Sequence, residues 1–409
     1  MRKNYLLKAS LGIAIWLTVA SCNKKNDMGM DPANSKTNLE EMISEKGANP
    51  DEVAISENSV NISAPERQGS NGGHFIYTEN NCVGINQIMR YKIRNNGTLD
   101  FAGSTASGGN GTGKALGSQG ALALNKDHTW LFTVNAGDNS ISSFKVHNDG
   151  SLSLAHTVNS KGMIPVSITV HNNLVYVLNR GSDNIHGFKI GPGGSLTDIE
   201  GSTQSLSGMA VDAPQISFTP NGDWILVTEK ATNTISAFRV KNNGAVSQGI
   251  FTPSVGQTPF GFDFARGRFM IVTNAVGGAP GAGSVTSYIN LSNGKAKDVN
   301  GAVPNGQGAP CWMAVSAFGR FAFASNTGSN NISSYYIAPW GALYLIQAVA
   351  GKSGLAPADI VVAANNYHVY ALTAKSNSIS AFSRNYFGGL KTITGIEGIP
   401  SSATGLAIY

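Results

Sequence analysis

The chain has 409 residues, with 29 Lys and Arg against 24 Asp and Glu and a formal charge of +5. A hydrophobic share of 41% is enough for a folded core, and 49 glycines with only 13% charged residues argue against a coiled coil or a disordered chain. No run of Lys and Arg has interleaved aromatic residues, so we expect no nucleic-acid partner.

The N-terminus is typical of an exported protein. Three cations precede an apolar run over residues 11–20, which is short for a membrane span, and the stretch VASC (19–22) closes it. This arrangement resembles a lipoprotein signal. We therefore predict a signal peptide over 1–21 and a lipid anchor at Cys22, which would place the protein in the cell envelope. An ordinary secretory signal and an uncleaved anchor are the alternatives.

Composition divides the rest of the chain. Residues 22–67 are rich in Asn, Lys, Glu, Ser and Asp without an apolar period, which predicts a flexible tether. Residues 68–409 are rich in Gly, with short bursts of aromatic and β-branched residues, and predict an all-β domain. Cys82 and Cys311 have no metal-binding or redox spacing, so we expect two free, partly buried thiols, and a disulfide between them in an oxidising compartment is the alternative.

One pattern recurs through this domain. The stretch VYVLNRGSDNIHGF (175–188) places two alternating apolar runs around a polar knot, and its copies repeat with a mean spacing of 49 residues. The copies are LFTVNAGDNSISSF (131–144), ILVTEKATNTISAF (225–238), FAFASNTGSNNISSY (321–335), VYALTAKSNSISAF (369–382) and two with longer loops at 75–91 and 270–288. A repeat of this length fits one four-stranded propeller blade, so seven copies predict seven blades.

Strand signals around each copy support this fold. Most units begin with a Pro-led apolar stretch, and a Gly-containing dipeptide such as Asn243-Gly244 predicts the hairpin between the third and fourth strands. The last nine residues, SSATGLAIY (401–409), match a first strand, and the first unit lacks one. We therefore predict that the C-terminal strand completes blade 1 and closes the ring.

The starts of the first strands and the polar knots should share one face, which we call the mouth. Four knots begin with Asn135, Asn179, Asn274 and Asn326. Their recurrence predicts a structural role, with side-chain oxygens that cap backbone N–H groups two residues on. A ring of oxygen ligands for Ca²⁺ is the alternative, and no other cofactor is predicted.

Departures from the repeat are the candidate site residues. Glu79 and Glu229 replace the recurrent Asn, and Arg180 and Lys230 stand one position later. We predict that Glu229 is a general acid or base and that Arg180 and Lys230 act beside it by binding an anionic group. Candidate substrate contacts are Glu79, Asp263, Cys311, Trp312, Asp359 and His74.

Each candidate also has a structural alternative. Glu229 and Lys230 can be exposed strand-end residues, and Asp263 and Asp359 can bond backbone amides between blades. Trp312 can pack against the wall of the central channel.

The pattern YVxNxxxxxIxxF, here Tyr176 to Phe188, followed by Gly194 to Leu196, resembles the lactonase-type seven-bladed propellers over residues 70–409. That family includes 6-phosphogluconolactonases and 3-carboxymuconate lactonizing enzymes. The resemblance implies mouth residues Arg, Glu and a His just after a strand-leading Pro, and it matches Glu229 to the acid. The residues after those prolines in this chain are Val166, Gln215, Phe260, Cys311 and Ala358.

Two functions follow from these observations. The first is a lactonase or lactonizing activity on a small anionic sugar acid or muconate-type substrate. The second is a non-catalytic surface module that binds a glycan, a peptide or a partner protein through the loops at 80–86 and 276–283. For either function we expect a monomer.

Overall fold

The computed structural model describes residues 74–290 and 292–409. These residues form seven antiparallel sheets in a ring, as the repeat predicts. The predicted signal peptide and tether lie outside the described residues. Within the described ranges, no helix is long and apolar enough to cross a membrane.

The blades follow one another in chain order, and the strands of each blade run from the first strand outward. Blade 1 consists of β29 (Thr404–Ile408), β1 (Phe75–Glu79), β2 (Gly84–Ile93) and β3 (Leu99–Gly111). Blade 2 consists of β4 (Leu122–Leu124), β5 (Trp130–Asn135), β6 (Ser140–Val146) and β7 (Leu152–Asn159). Blade 3 consists of β8 (Pro165–His171), β9 (Leu174–Asn179), β10 (Asn184–Ile190) and β11 (Leu196–Asp198), with β12 (Gln204–Ser205) also paired to β10.

The remaining blades follow the same plan. Blade 4 consists of β13 (Gln215–Phe218), β14 (Trp224–Glu229), β15 (Thr234–Arg239) and β16 (Ile250–Pro253). Blade 5 consists of β17 (Pro259–Ala265), β18 (Phe269–Asn274), β19 (Ser284–Asn290) and β20 (Ala296–Pro304). Blade 6 consists of β21 (Pro310–Val315), β22 (Phe321–Asn326), β23 (Asn331–Ile337) and β24 (Leu343–Lys352). Blade 7 consists of β25 (Asp359–Val362), β26 (His368–Thr373), β27 (Ser378–Arg384) and β28 (Leu390–Glu397).

The C-terminal strand closes the ring. β29 pairs antiparallel with β1, placing Ile408 opposite Ile76 and Ala407 opposite Tyr77. Backbone bonds of 3.2 Å in both directions between Phe75 and Tyr409 extend the pairing. The prediction that the chain end completes blade 1 is therefore confirmed.

Burial follows the position of a strand within its blade. The second strands are buried along nearly their whole length, because they face neighbouring blades on both sides. The fourth strands alternate between exposed and covered residues, as β24 does, because one of their faces meets solvent. The hydrophobic core therefore lies between the blades, where Phe132, Tyr176 and Phe323 are fully buried.

Tyrosines on the second strands join neighbouring blades. The hydroxyl of Tyr176 donates to the carbonyl of Gly244 at 2.6 Å, in the outer hairpin of the next blade. That glycine has a φ of 89°, which other residues adopt only with strain. Tyr77 and Tyr370 make the same bond to the outer hairpins of blades 2 and 1.

The strand directions give the ring two distinct faces. The mouth face carries the starts of the first strands, the ends of the second strands and the connections between blades, as the pairing of Pro165 with Asn179 shows. The opposite face carries the tips of the first-to-second and third-to-fourth hairpins. The predicted sharing of one face by the Pro-led starts and the polar knots is confirmed.

Candidate functional site

The recurrent Asn residues are structural, but in a different way from the prediction. Asn135 is fully buried, and its amide nitrogen donates to Ser140 and Ser142 on β6 at 3.1 and 3.0 Å. Its oxygen accepts from Ser107 of blade 1 at 2.6 Å. The side chain therefore bonds strand to strand rather than to a backbone N–H two residues on.

The other three Asn side chains are also fully buried. Asn274 and Asn326 donate to hydroxyls of their third strands, Thr286 at 2.8 Å and Ser333 at 2.9 Å. Asn179 donates to the carbonyl of Ser160 at 3.0 Å. These bonds hold the amide nitrogens, whereas the side-chain oxygens of Asn179 and Asn274 are buried without a hydrogen-bond partner, and the calcium alternative stays a prediction. No cluster of His, Cys, Asp or Glu able to hold a metal ion occurs in the described ranges.

Two of these side chains are covered by glycines of the preceding chain segment, Gly109 in β3 and Gly162 in the connection before β8. A Cβ atom at Gly162 would lie 2.5 Å from Cγ of Asn179, and one at Gly109 would lie 2.5 Å from Cγ of Asn135. A larger residue at either position would displace the buried amide.

Glu229 takes the place of the recurrent Asn at the end of β14 and is fully buried. One carboxylate oxygen accepts from the backbone N–H of Ser207 at 3.1 Å and from the hydroxyl of Ser236, and the other accepts from the hydroxyls of Ser207 and Thr232. The catalytic role of Glu229 stays a prediction. In this conformation the connection that carries Ser207 separates the carboxylate from the mouth.

Glu79, at the end of β1, is fully buried as well. Its oxygens accept from the hydroxyl of Thr133 at 2.5 Å and from the amide of Asn86 at 3.0 Å, and no cation pairs with it among the described residues. Burial raises the pKa of this carboxyl to about 8. The carboxyl lies inside the blade interface, and its substrate contact stays a prediction.

Asp263 and Asp359 join inner strands of neighbouring blades. Asp263 accepts from the backbone N–H of Val315 on β21 at 2.8 Å, and Asp359 accepts from that of Leu406 on β29 at 2.9 Å. The second oxygen of each accepts the N–H of the next residue in its own strand. Burial raises the pKa of Asp263 to about 6 and that of Asp359 to about 7. Both carboxylates therefore bond backbone amides between blades, as the structural alternative describes, and their substrate contacts stay predictions.

An exposed charge cluster lies on the mouth face where blades 3 and 4 meet. Arg180, just after β9, lies 3.9 Å from Asp212, and Lys230, just after β14, lies 2.9 Å from the other oxygen of the same carboxylate. The side chain of Asp212 is 50% exposed, whereas Arg180 and Lys230 are 25% and 15% exposed. The Arg180 guanidinium also donates to the carbonyl of Leu116 at 2.6 Å. Burial lowers the pKa of Arg180, and the Asp212 charge opposes that shift.

Aromatic side chains lie next to this cluster. The Lys230 ammonium lies 4.6 Å from the centroid of the Phe260 ring, which in turn lies 5.2 Å from the Trp312 ring. The Trp312 indole donates to the carbonyl of Ser118 at 3.1 Å, and burial raises the pKa of the neighbouring Cys311 thiol to about 11. Trp312 and Cys311 are buried, and Trp312 packs against Phe260. The substrate contacts expected of both stay predictions.

The connection between blades 1 and 2 forms the floor of the mouth. Gln119 exchanges two bonds with the backbone of Met313 in blade 6, at 2.7 and 3.1 Å, although the two residues belong to non-adjacent blades. The same connection accepts the bonds from Arg180 and Trp312. Above it lies an open pocket of about 250 Å³, lined by Ile164, Arg180, Gly181, Ala210 and Asp212.

His74 lies elsewhere. Its carbonyl accepts from Ile93 at 2.9 Å at the start of β1, which is the end of the strand that lies on the opposite face. The length of β1 separates His74 from the mouth, and its substrate contact stays a prediction.

A family model named Lactonase, 7-bladed beta-propeller matches residues 110–213 and 195–288. The matched stretch contains Arg180, Asp212 and Lys230. The resemblance to lactonase-type seven-bladed propellers is confirmed. No curated protein matches the chain by sequence.

Solved structures share this lactonase-type propeller fold. A Bacteroides uniformis protein with the provisional name 6-phosphogluconolactonase is 17% identical, with a TM-score of 0.69 over 83% of this chain and 100% of its own. The Pseudomonas aeruginosa periplasmic gluconolactonase PpgL is 18% identical, with a TM-score of 0.60 over 81% of this chain and 99% of its own. A Lactobacillus plantarum protein is 18% identical, with a TM-score of 0.69 over 83% and 99%. At these identities the likeness shows the fold alone.

Asp212 is the mouth residue that the sequence did not single out. It lies in the connection between blades 3 and 4, outside every repeated strand, and has a φ of 51°. One sequence feature could have identified it: Asp212 is the only carboxylate in the stretch SLSGMAVDAP (205–214) and lies two residues before a strand-leading Pro. The half-exposed Asp212 carboxylate therefore bridges the two cations that the sequence did single out.

Proposed function

We propose that the mouth of this lactonase-like propeller binds a small anionic sugar acid or muconate-type substrate and hydrolyses or forms its lactone. The observation that carries the proposal is the open pocket lined by Arg180 and Asp212, whose carboxylate also pairs with Lys230 behind it. A guanidinium on the pocket wall, with an ammonium on the same carboxylate, suits a carboxylate or phosphate group.

The proposed reaction uses these three side chains. Arg180 and Lys230 hold the anionic group and the carbonyl oxygen, whose negative charge grows as the carbonyl carbon becomes tetrahedral. Asp212 takes a proton from the attacking water as its oxygen bonds to that carbon. The ring C–O bond then breaks, and the leaving oxygen takes the proton from the Asp212 carboxyl. One water is consumed per lactone opened, and lactone formation is the reverse.

Glu229 has a different place in this proposal. Its bonds to Ser207 and Thr232 fix the two segments that carry Asp212 and Lys230. We therefore propose that Glu229 is a positioning residue, in contrast to the acid or base role predicted from the sequence.

Hydrolysis of a panel of lactones by the purified protein tests the proposal, with Asp127→Asn, an exposed carboxylate on the opposite face, as the matched control. Asp212→Asn should lower kcat roughly 100-fold or more, and Arg180→Gln should mainly raise KM. Glu229→Gln should keep the wild-type dependence of kcat on pH. If Glu229 were the catalytic acid or base, this variant would lose one limb of that pH profile. Turnover by Asp212→Asn at the wild-type rate would remove Asp212 from the mechanism, and hydrolysis no faster than in buffer would overturn the enzyme proposal.

The second candidate is a non-catalytic module that binds a glycan, a peptide or a partner protein. A rim of exposed apolar side chains around the mouth favours it, since a small polar substrate needs no such rim. The rim consists of Val83, Ile85, Met163, Ile164, Met209, Val255 and Leu355. Val83 is 81% exposed and Met209 is 92% exposed. If no lactone reacts, capture of an envelope partner that Val83→Ser with Met209→Ser abolishes would support this candidate.

We also propose that acyl chains at Cys22 hold a monomeric protein in the cell envelope. The support is the signal-like segment over residues 1–22. Metabolic labelling with a fatty-acid analogue should mark the wild type and leave Cys22→Ser unlabelled. Labelling of both proteins would contradict acylation at Cys22.

A further inference from the structure

One sector of the opposite face is strongly basic. The hairpin tips of blades 5 to 7 and the residues beside them (265–269, 292–298, 316–320, 337–343, 363–368 and 384–391) carry a single carboxylate, Asp298. The same segments carry the cations Arg266, Arg268, Lys295, Lys297, Arg320, Arg384 and Lys391. None of the seven forms an ion pair within the described residues, and only Arg384 is partly covered.

The same hairpin tips present exposed aromatic side chains. They are Phe318 at 80% exposure, Tyr386 at 59%, and Trp340, Tyr367 and Phe387 at 47% each. Side chains at the tips of turns lie outside the core, so packing between the blades does not require large apolar residues at these positions.

These residues form one continuous surface across blades 6 and 7. The Asn366 side chain accepts from the backbone N–H of Ala317 at 2.7 Å, which joins the tip carrying Tyr367 to the tip carrying Phe318. The guanidinium of Arg320 lies 5.6 Å from the centroid of the Tyr386 ring, so blade 6 also contacts the outer hairpin of blade 7. We call this surface, together with the blade 5 tips, the basic aromatic face.

The hairpin tips of blades 1 to 4 differ in charge. There, cations alternate with carboxylates, namely Asp100, Asp127, Asp149 and Asp223. Arg94 and Asp100 form an ion pair at 2.5 Å. The excess positive charge is therefore local to blades 5 to 7 and does not follow from the propeller repeat.

The chain enters the propeller on this same side. His74 lies on the opposite face in blade 1, next to blade 7, as the close approach of Gly97 to His368 shows. Residues 22–73 therefore lead from the predicted anchor to the face that carries the aromatic tips, while the mouth lies on the other side.

We propose that the basic aromatic face docks on an anionic phospholipid surface. The cations meet phosphate-bearing headgroups, and the aromatic tips lie at headgroup level, where Trp and Tyr are favoured. This orientation leaves the mouth open to the aqueous side. The proposal does not depend on the lactonase proposal, because it uses no mouth residue.

Vesicle flotation of the full chain carrying Cys22→Ser tests the proposal without acyl chains. Phosphatidylcholine vesicles are compared with vesicles that also contain phosphatidylglycerol. Each cation near an anionic surface accounts for roughly a five-fold factor in partitioning, so Arg268→Gln with Lys295→Gln and Arg320→Gln should weaken binding on the order of 100-fold. The matched control removes three exposed cations from blades 2 and 3, at Lys126, Lys145 and Lys189.

A second pair of variants tests the aromatic tips. Phe318→Ser with Tyr386→Ser should weaken binding at constant charge, whereas Phe101→Ser with Leu154→Ser, on exposed outer strands, should not. Unchanged thermal unfolding of each variant shows that the propeller is intact. Equal losses in the test and control triples, equal binding to both vesicle types, or binding to heparin with none to vesicles would overturn the proposal.

Discussion

The buried carboxyl of Glu79 should make the propeller less stable as the pH rises. Its pKa rises from an ordinary value of 4.5 to about 8 because the group is removed from water without a cation beside it. Between these values the folded protein holds a proton that the unfolded chain has lost, so the free energy of unfolding falls with increasing pH. At about 1.4 kcal/mol for each pH unit, the interval corresponds to at most about 5 kcal/mol.

The substitution Glu79→Gln removes this titration. The amide keeps the shape, but its nitrogen cannot accept the bond that Asn86 donates at 3.0 Å, and losing that bond costs about 1–3 kcal/mol. The variant should therefore be less stable than the wild type near pH 5 and more stable near pH 9, with curves that cross between.

Thermal unfolding at a fixed scan rate from about pH 5 to about pH 9 measures both curves, and 1 kcal/mol corresponds to roughly 2 °C in a domain of this size. Glu397→Gln, an exposed carboxylate at the end of β28, is the control and should leave the pH dependence unchanged. Parallel curves for wild type and Glu79→Gln would refute the assignment of a neutral buried carboxyl.

Three further predictions concern the rest of the fold. Deletion of residues 404–409 should expose the edge of β1 and produce aggregates on size-exclusion chromatography, and a product with the wild-type elution volume and Tm would contradict closure by β29. Cys311, with a pKa of about 11, should resist a thiol reagent in the native state at neutral pH while the half-buried Cys82 reacts, as mass spectrometry of labelled peptides would show. Gly162→Ala should lower Tm by several degrees, because its Cβ would meet the buried amide 2.5 Å away, whereas Gly208→Ala has space and should not.

The fold was predictable because each blade repeats one local sequence pattern. In addition, the ring closes when strands from the two ends of the propeller domain pair in one blade. The spacing of the repeats and the unmatched strand at 401–409 determine seven blades and their closure, and β29 pairs with β1 as expected. The additional strand β12 and the connection that crosses the mouth floor were not predicted, since neither follows the repeat.

The site was predicted less well, because side-chain environment depends on residues far apart in the chain. Turn chemistry led to the expectation that Asn135 caps its own loop, but strand pairing brings Ser142 and Ser107 within reach and the amide bonds to them. Glu229 ends a strand near the mouth, and only the structure shows that the connection carrying Ser207 covers it. Arg180 and Lys230 were correctly brought together, and their shared partner Asp212 was missed.

The repeat also shows why a charged residue can break the pattern without marking a site. The last residue of the second strand bonds to a hydroxyl on the third strand in several blades, whether it is Asn135 to Ser142, Glu229 to Ser236 or Thr373 to Ser380. A carboxylate there can make the same kind of bond as an amide, so the exchange of Asn for Glu is compatible with an unchanged structural role. One residue later, blades 3 and 4 place the partly exposed Arg180 and Lys230 at the mouth, where blades 2 and 5 place the buried Ala136 and Ala275. A departure from the repeat therefore indicates function only at a position that faces solvent, which favours Arg180 and Lys230 over Glu79 and Glu229 as ligand contacts.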